Sequence, residues 1–140
     1  SILKSNYHIL KDINLIVEYH SEFKFNSLIK FKQRLILNPE FLSNQNYFVH
    51  LKNVNFKTSA EDIIFYANFL KKNSNSVGKR KIALLTDTPI QVVSAKLYKS
   101  LLKNNYQTIE IFSTKEKALE WMDINDISIN NIINYLKNSL

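Results

Sequence analysis

The chain has 140 residues, of which 45% are hydrophobic and none is cysteine. It is long enough for one folded domain. The absence of cysteine excludes disulfides, thiol catalysis and cysteine-ligated metals. The net charge of +7 comes from lysines spread over the whole chain, with the densest run at residues 79–81. We interpret it as a solvated basic surface rather than a polyanion site, and we expect no nucleic-acid binding. No apolar run approaches the roughly 20 residues of a membrane span, and a single glycine cannot build a phosphate-binding loop.

The first predicted elements are two strands, over residues 7–10 and 14–20, joined by turn-forming residues. This arrangement favours an antiparallel hairpin. A helix over 27–37 follows, capped by Asn26 and ended by Pro39. The second strand alternates between two faces, Leu15, Val17 and Tyr19 on one and Asn14, Ile16, Glu18 and His20 on the other.

The centre of the chain reads as a strand, a loop and a helix. Residues 47–54 alternate with a period of two, with Val49 and Leu51 on one face and His50 and Lys52 on the other. Ser59 begins the helix, and Asp62 stands three residues later. This spacing predicts a capping box, in which each side chain accepts a backbone N–H of the first turn.

The second half continues the alternation of strands and helices. Residues 81–87 are almost continuously apolar, which is typical of a strand inside a sheet. Thr88 then caps a helix that runs to about residue 104. A strand over 107–112 and a short helix over 113–122 complete the series.

A last helix is predicted beyond this unit, within residues 126–140. Ile129, Ile132, Ile133 and Leu136 recur at helical spacing after a possible cap at Ser128. This helix either closes the apolar edge of its own domain or docks on a second copy of the chain. Fraying is the third alternative.

These elements predict an α/β fold with two layers. We expect a mixed, mostly parallel sheet of about five strands, about four helices mainly on one face, and a C-terminal helix. Residues 1–123 are predicted to form the domain and 124–140 an extension. The other sheet face is expected to be open and half polar, and to form a homodimer or partner surface that contains Ile16, Phe48, His50 and Phe112.

The carboxyl ends of the two central strands form a second candidate surface, which we call the rim. If these strands are parallel, their ends meet at one edge of the sheet beside two helix N-termini. The rim residues are Phe56, Thr58, Ser59, Glu61, Asp87 and Thr88. Structural capping is the alternative role for Ser59 and Thr88.

The chain contains no pattern typical of an active site. The three histidines, His8, His20 and His50, all fall in or beside predicted strands. Two imidazoles without a third ligand make a poor zinc site, and no serine stands in a glycine-flanked elbow. We therefore predict no catalytic residues, no metal and no cofactor.

Four stretches resemble the STAS superfamily, and most of all its uncharacterised members similar to sporulation anti-sigma-factor antagonists. They are Leu37-Asn38-Pro39-Glu40-Phe41, Phe48 to Val54, Phe56 to Ala60, and Ile111 to Thr114 followed by Ala118 to Trp121. They span about residues 7 to 123. The resemblance implies the STAS fold. Some relatives look like the lipid-binding Sec14 type.

The resemblance also implies a regulatory site at the start of the central helix, where antagonists carry a phosphorylated serine. Thr58 matches the aspartate of that motif and Ser59 the first of its two serines, but Ala60 stands at the phosphorylated position. Glu61 replaces the following glycine and would repel an added phosphate. The usual acceptor is therefore missing, which leaves Ser59 or Thr58 as possible substitutes.

From these observations we expect a non-enzymatic, cytoplasmic interaction domain that works through protein–protein contact. A second hypothesis is a carrier of a small apolar ligand or lipid, which requires an apolar cavity between the helices and the sheet. An enzyme is the third hypothesis and is disfavoured, because the sequence lacks a catalytic constellation. A cluster of titratable residues with displaced pKa values at the rim would favour it.

Overall fold

In a computed structural model, the chain forms one five-stranded sheet with helices on both faces. The structure describes residues 4–56, 58–73, 78–102, 107–125 and 128–140. The strands are β1 (Ser5–Leu10), β2 (Leu15–His20), β3 (Glu22–Phe23), β4 (Asn46–His50), β5 (Asn55–Phe56), β6 (Arg80–Leu85) and β7 (Gln107–Phe112). The helices are α1 (Phe25–Ile36), α2 (Ala60–Lys72), α3 (Pro89–Leu102), α4 (Lys115–Trp121) and α5 (Ile129–Asn138).

The main sheet has the order β1-β2-β4-β6-β7, and only β1 is antiparallel. The predicted hairpin is confirmed, and its turn is a short 3-10 segment that ends at Asn14 in the left-handed region (φ 54°). From β2 to β7, each successive strand of the main sheet is added on the same side of the one before it. Because such crossovers have a constant hand, α1, α2 and α3 all pack on one face. The predicted α/β class with a mixed, mostly parallel sheet is confirmed.

The second face of the sheet is covered by α4 and α5, which differs from the open face that the sequence predicted. Ala118 of α4 and Ile129, Ile133 and Leu136 of α5 pack there against Phe48 and its neighbours. The molecule therefore has three layers. The reason is the path of the chain after β7, which crosses to the side that the first three helices leave free.

Ile16 and Phe48 do not share a face, and both are fully buried. Ile16 pairs in register with Tyr47, which lies under α1 to α3, whereas Phe48 pairs with Val17 on the side of α4 and α5. The prediction that these two residues form a common exposed surface is therefore wrong. Each belongs to a separate half of the hydrophobic core.

The helix caps follow the sequence prediction in the centre of the chain. The hydroxyl of Ser59 accepts the N–H of Asp62, and the Asp62 carboxylate accepts the N–H of Ser59, both at 3.2 Å. Thr88 accepts the N–H of Gln91 at 3.3 Å. The predicted cap at Asn26 is wrong: α1 begins at Phe25, after Lys24, without a side-chain cap.

The C-terminal helix α5 packs on its own domain. Ile129 and Leu136 are almost fully buried against the sheet, beside Leu15 and Val17 of β2. Of the three alternatives for this segment, the structure has the helix closing the apolar face of its own sheet. Among the described residues, no helix combines the length and apolar character needed to cross a membrane.

Candidate functional site

A cavity of about 80 Å³ lies between the sheet and helices α1, α2 and α3. Most of its walls are apolar, and they come from all three helices and from the facing side of the sheet. The apolar residues include Phe25, Leu28, Val49, Ile63, Leu70 and Ile82. We call this space the cavity.

One end of the cavity lies at the amino ends of the parallel strands. Arg80 and Gln107 begin β6 and β7 and stand directly opposite each other in the register. Both line the cavity, and both are more than nine-tenths buried. These two polar side chains therefore lie where the sheet begins, and Glu18, Thr58 and Gln91 line the cavity nearer the carboxyl ends of the strands.

Two cations flank the ring of Tyr47 at this end. The Nζ atom of Lys32 lies 4.4 Å from the ring centre, and the guanidinium carbon of Arg80 lies 4.6 Å from it. Such cation–π contacts are stronger when the groups are shielded from water, as they are here. A guanidinium nitrogen of Arg80 also donates a hydrogen bond to the carbonyl of Ser43. Tyr47 and Ser43 together fix the position of the arginine.

A buried hydrogen-bond chain runs from the cavity wall to the edge strand. Lys32 donates to one oxygen of Glu18, and the other oxygen lies 2.9 Å from Nε2 of His20. The second ring nitrogen of His20 lies 2.6 Å from the hydroxyl of Ser5. Burial alone would raise the pKa of Glu18, but Lys32 and His20 outweigh it and lower the pKa to about 2. The carboxylate is therefore held in its charged form.

The order serine, histidine and glutamate is also that of a nucleophilic relay. Ser5 is buried, however, and is absent from the described lining of the cavity. Its own carbonyl accepts a hydrogen bond from Arg34 at 3.3 Å. We interpret the chain of contacts as a structural network that joins β1, β2 and α1.

Two tyrosines form part of the cavity wall opposite the sheet. Tyr66 of α2 and Tyr98 of α3 stack with ring centres 5.8 Å apart and an angle of 22°. Burial raises the pKa of both hydroxyls above the usual value. Both therefore remain neutral hydrogen-bonding groups beside the cavity.

At the carboxyl ends of the strands, Phe23 of β3 and Thr58, which follows β5, line the cavity. The hydroxyl of Thr58 donates a hydrogen bond of 2.6 Å to the carbonyl of Phe23. This bond joins the segment after β5 to β3. Gln91 lines the same region, with its amide donating to the carbonyl of Leu51 and accepting from the N–H of Asp87. These hydrogen bonds connect the segments that follow the strands at this end of the cavity.

Most of the predicted rim residues have structural roles. Ser59 and Thr88 are helix caps, as described above, and Asp87 accepts the N–H of Asn53 at 3.0 Å. Glu61 is exposed in the first turn of α2. Of the rim residues with described side chains, only Thr58 lines the cavity. The predicted residue Phe56 is placed by its backbone in β5, and its side chain lies outside the described part of the structure.

His50 and Phe112 lie on the side of α4 and α5, where the sequence predicted an open face. His50 is half-buried and stacks on Tyr19, with ring centres 5.0 Å apart. Burial lowers the pKa of His50 to about 4, and the neighbouring Lys52 acts in the same direction. Phe112 is half-buried and packs on Trp121, 5.5 Å away. Both contacts are internal to the chain.

Sequence reasoning missed the buried polar residues in and beside the cavity wall. It placed Glu18 and His20 on an exposed face, and it assigned Arg80 to a solvated basic run, yet all three are buried. One local signal was available. Lys32 follows Phe31 within the apolar stripe of α1, and a charge in such a stripe requires a buried partner.

The comparisons with known proteins support the fold. No protein-family model matches the sequence, and no curated protein matches it. The structure is similar to a crystal structure of an uncharacterised DUF3478-family protein with a SpoIIAA-like fold from Shewanella loihica PV-4. The TM-score is 0.56 at 8% identity, and the match covers 87% of this chain and 96% of that one. The chain therefore has a SpoIIAA-like fold, as expected from its resemblance to STAS domains.

Proposed function

We propose that the chain binds a small, mainly apolar molecule in the cavity, without catalysing a reaction on it. The observation that carries this proposal is the cavity itself, which lies between three helices and the sheet and is lined mostly by apolar side chains. A few polar side chains also line it, as is typical of small-molecule sites. This is the arrangement that the ligand-carrier hypothesis required.

The volume sets the size of the proposed ligand. One water molecule needs roughly 10–15 Å³ of such space, so a cavity of about 80 Å³ holds roughly five to eight water-sized groups. An empty cavity of this kind costs stability, because its walls lose contacts. A bound apolar molecule would restore those contacts and stabilise the folded chain.

Native mass spectrometry of the purified chain tests the proposal. We expect a fraction with added mass that is released when the protein is unfolded. The variant Ala95→Leu places a larger side chain in the cavity wall and is expected to lose the added mass. The matched control is Val93→Leu in the same helix, where the side chain is 67% exposed, and this variant should keep it.

Two results would contradict the proposal. One is a protein of unmodified mass that small apolar probes such as toluene also fail to stabilise in thermal unfolding. The other is added mass that Ala95→Leu and Val93→Leu retain equally, because the molecule would then lie outside the cavity.

A second candidate function is a protein-interaction domain, the role expected from the STAS resemblance. The observation that favours it is a group of exposed apolar side chains in the first two turns of the neighbouring helices α2 and α3. Phe65, Ile90 and Val93 are 64%, 63% and 67% exposed, and Ile64 is 41% exposed. Exposed apolar groups on two neighbouring helices favour a partner or a second copy of the chain. Self-association and a cytoplasmic location stay predictions.

Light scattering after size-exclusion chromatography tests this second function. If the chain associates through α2 and α3, its mass should rise with concentration, and Phe65→Asp should prevent the rise. The control Tyr135→Asp changes a residue on α5 that is 66% exposed and should have no effect. Equal behaviour of the two variants would place any association elsewhere.

A further inference from the structure

The side-chain oxygen Oε1 of Gln107 is a buried acceptor in the cavity wall that has no hydrogen-bond donor among the described residues. Gln107 is only 8% exposed. A buried acceptor without a donor costs about 1–3 kcal/mol. Buried polar groups are normally satisfied, so a donor supplied from inside the cavity is the simplest explanation.

The charged groups around the cavity already have partners within the chain. The carboxylate of Glu18 is bound by Lys32 and His20. The ammonium of Lys32 is therefore also in use. Arg80 donates to Ser43 and lies over Tyr47. A ligand that enters the cavity therefore meets charged groups that already contact other groups of the chain.

The remaining polar groups of the wall are neutral. Gln107 offers its amide, and the stacked Tyr66 and Tyr98, which line the same cavity, each carry a phenol hydroxyl. A hydroxyl group on a ligand donates to the amide oxygen and at the same time accepts from a tyrosine or an amide N–H. A carboxylate cannot donate, and a hydrocarbon can do neither, so both leave the Gln107 oxygen unpaired.

We propose that the cavity selects a small neutral alcohol or phenol, whose hydroxyl donates to Gln107 while its apolar body packs among the helices. This inference rests on the proposed function, because it assigns the ligand class of the same cavity. The size estimated above limits the ligand to a single ring or a short chain. The hydroxyl lies at the amino ends of β6 and β7, and the apolar body points toward β3 and β5.

Three probes of similar size test this selectivity. Phenol carries the hydroxyl, toluene has a methyl group in its place, and benzoate carries a charge without a donor. Dissociation constants are measured by NMR titration of the full chain. One net hydrogen bond corresponds to about a three- to tenfold preference for phenol over toluene, and benzoate should bind most weakly.

The variant Gln107→Met removes the acceptor at nearly constant length and should make phenol and toluene equivalent. Tyr98→Phe is a second variant that keeps the ring and removes its hydroxyl, and it should reduce the preference for phenol. This variant keeps the test decisive if Gln107→Met fails to fold. The exposed control Tyr135→Phe should bind all three probes as the unmodified chain does.

The outcomes separate this inference from the proposed function. A preference for phenol that Gln107→Met or Tyr98→Phe abolishes supports the assignment. Equal binding of phenol and toluene by the unmodified chain, or a preference that survives both variants, overturns the assignment and leaves the apolar site in place. Binding of none of the probes overturns both.

Discussion

The Nε2 atom of His20 lies 2.9 Å from Oε1 of Glu18, two residues earlier on the same face of β2. Both side chains are almost completely buried beneath α1. A buried carboxylate is tolerated only if its charge is balanced, and Lys32 from α1 supplies that balance. The network therefore fixes the distance between the helix and the sheet, and with it one wall of the cavity.

Replacing Lys32 by methionine should destabilise the fold strongly. The substitution keeps the apolar stem but leaves the Glu18 charge buried with only His20 beside it. Breaking a buried ion pair in this way costs about 3–5 kcal/mol. Urea unfolding followed by circular dichroism measures the loss.

Two controls define this result. Lys30→Met changes an exposed lysine of the same helix and should alter the free energy of unfolding by less than about 0.5 kcal/mol. The double variant Glu18→Gln with Lys32→Met removes both charges and should recover much of the stability. A single Lys32→Met variant as stable as Lys30→Met would show that the ion pair contributes nothing.

The stability of the fold should decrease in acid because of Glu18. Its pKa is about 2 in the folded chain and 4.5 ordinarily, so between these values the unfolded chain binds the proton first. The stabilisation is complete above about pH 4.5 and is lost as the pH falls toward 2. At 1.36 kcal/mol per pH unit, the loss corresponds to about 3 kcal/mol. Urea unfolding at a series of pH values measures it, and Glu18→Gln should give a flatter profile. Parallel profiles for the two proteins would exclude Glu18 as the cause.

The local patterns of the sequence were sufficient for most elements. The period of two in β2 and β4 and the capping box of Ser59 and Asp62 depend on neighbouring residues only. The parallel sheet follows from the alternation of strands and helices. These features are therefore visible before any tertiary contact is known.

The buried network beside the cavity depends on contacts between distant residues. Glu18 and His20 make β2 look half-exposed, and they are buried only because Ser5 and Lys32 complete their hydrogen bonds. Ser5 comes from another strand and Lys32 from a helix. Neither pairing follows from spacing along the chain, which is why the sequence placed Glu18 and His20 on an open face.

The single glycine of the chain occupies a position where no side chain fits. A Cβ atom on Gly78 would lie 2.6 Å from the carbonyl oxygen of Ser43, a backbone atom that also accepts hydrogen bonds from Gly78 and Arg80. Gly78→Ala should therefore destabilise the fold by about 1–3 kcal/mol through overpacking. Thermal unfolding compares it with Lys79→Ala, an exposed neighbour that should have little effect. Equal melting temperatures would mean that the loop around Ser43 moves aside without cost.

Replacing Phe48 by aspartate should unfold the chain rather than dissociate an assembly. Phe48 is fully buried between the sheet and the layer formed by α4 and α5. The substitution removes a large apolar side chain, at about 3–5 kcal/mol, and adds the cost of an unpaired buried carboxylate. The sum is comparable with the total stability of about 5–15 kcal/mol of a typical domain. Circular dichroism should show loss of helix, whereas Phe65→Asp, at an exposed position, should keep the native spectrum. A folded Phe48→Asp chain would mean that α4 and α5 leave this face of the sheet accessible to water.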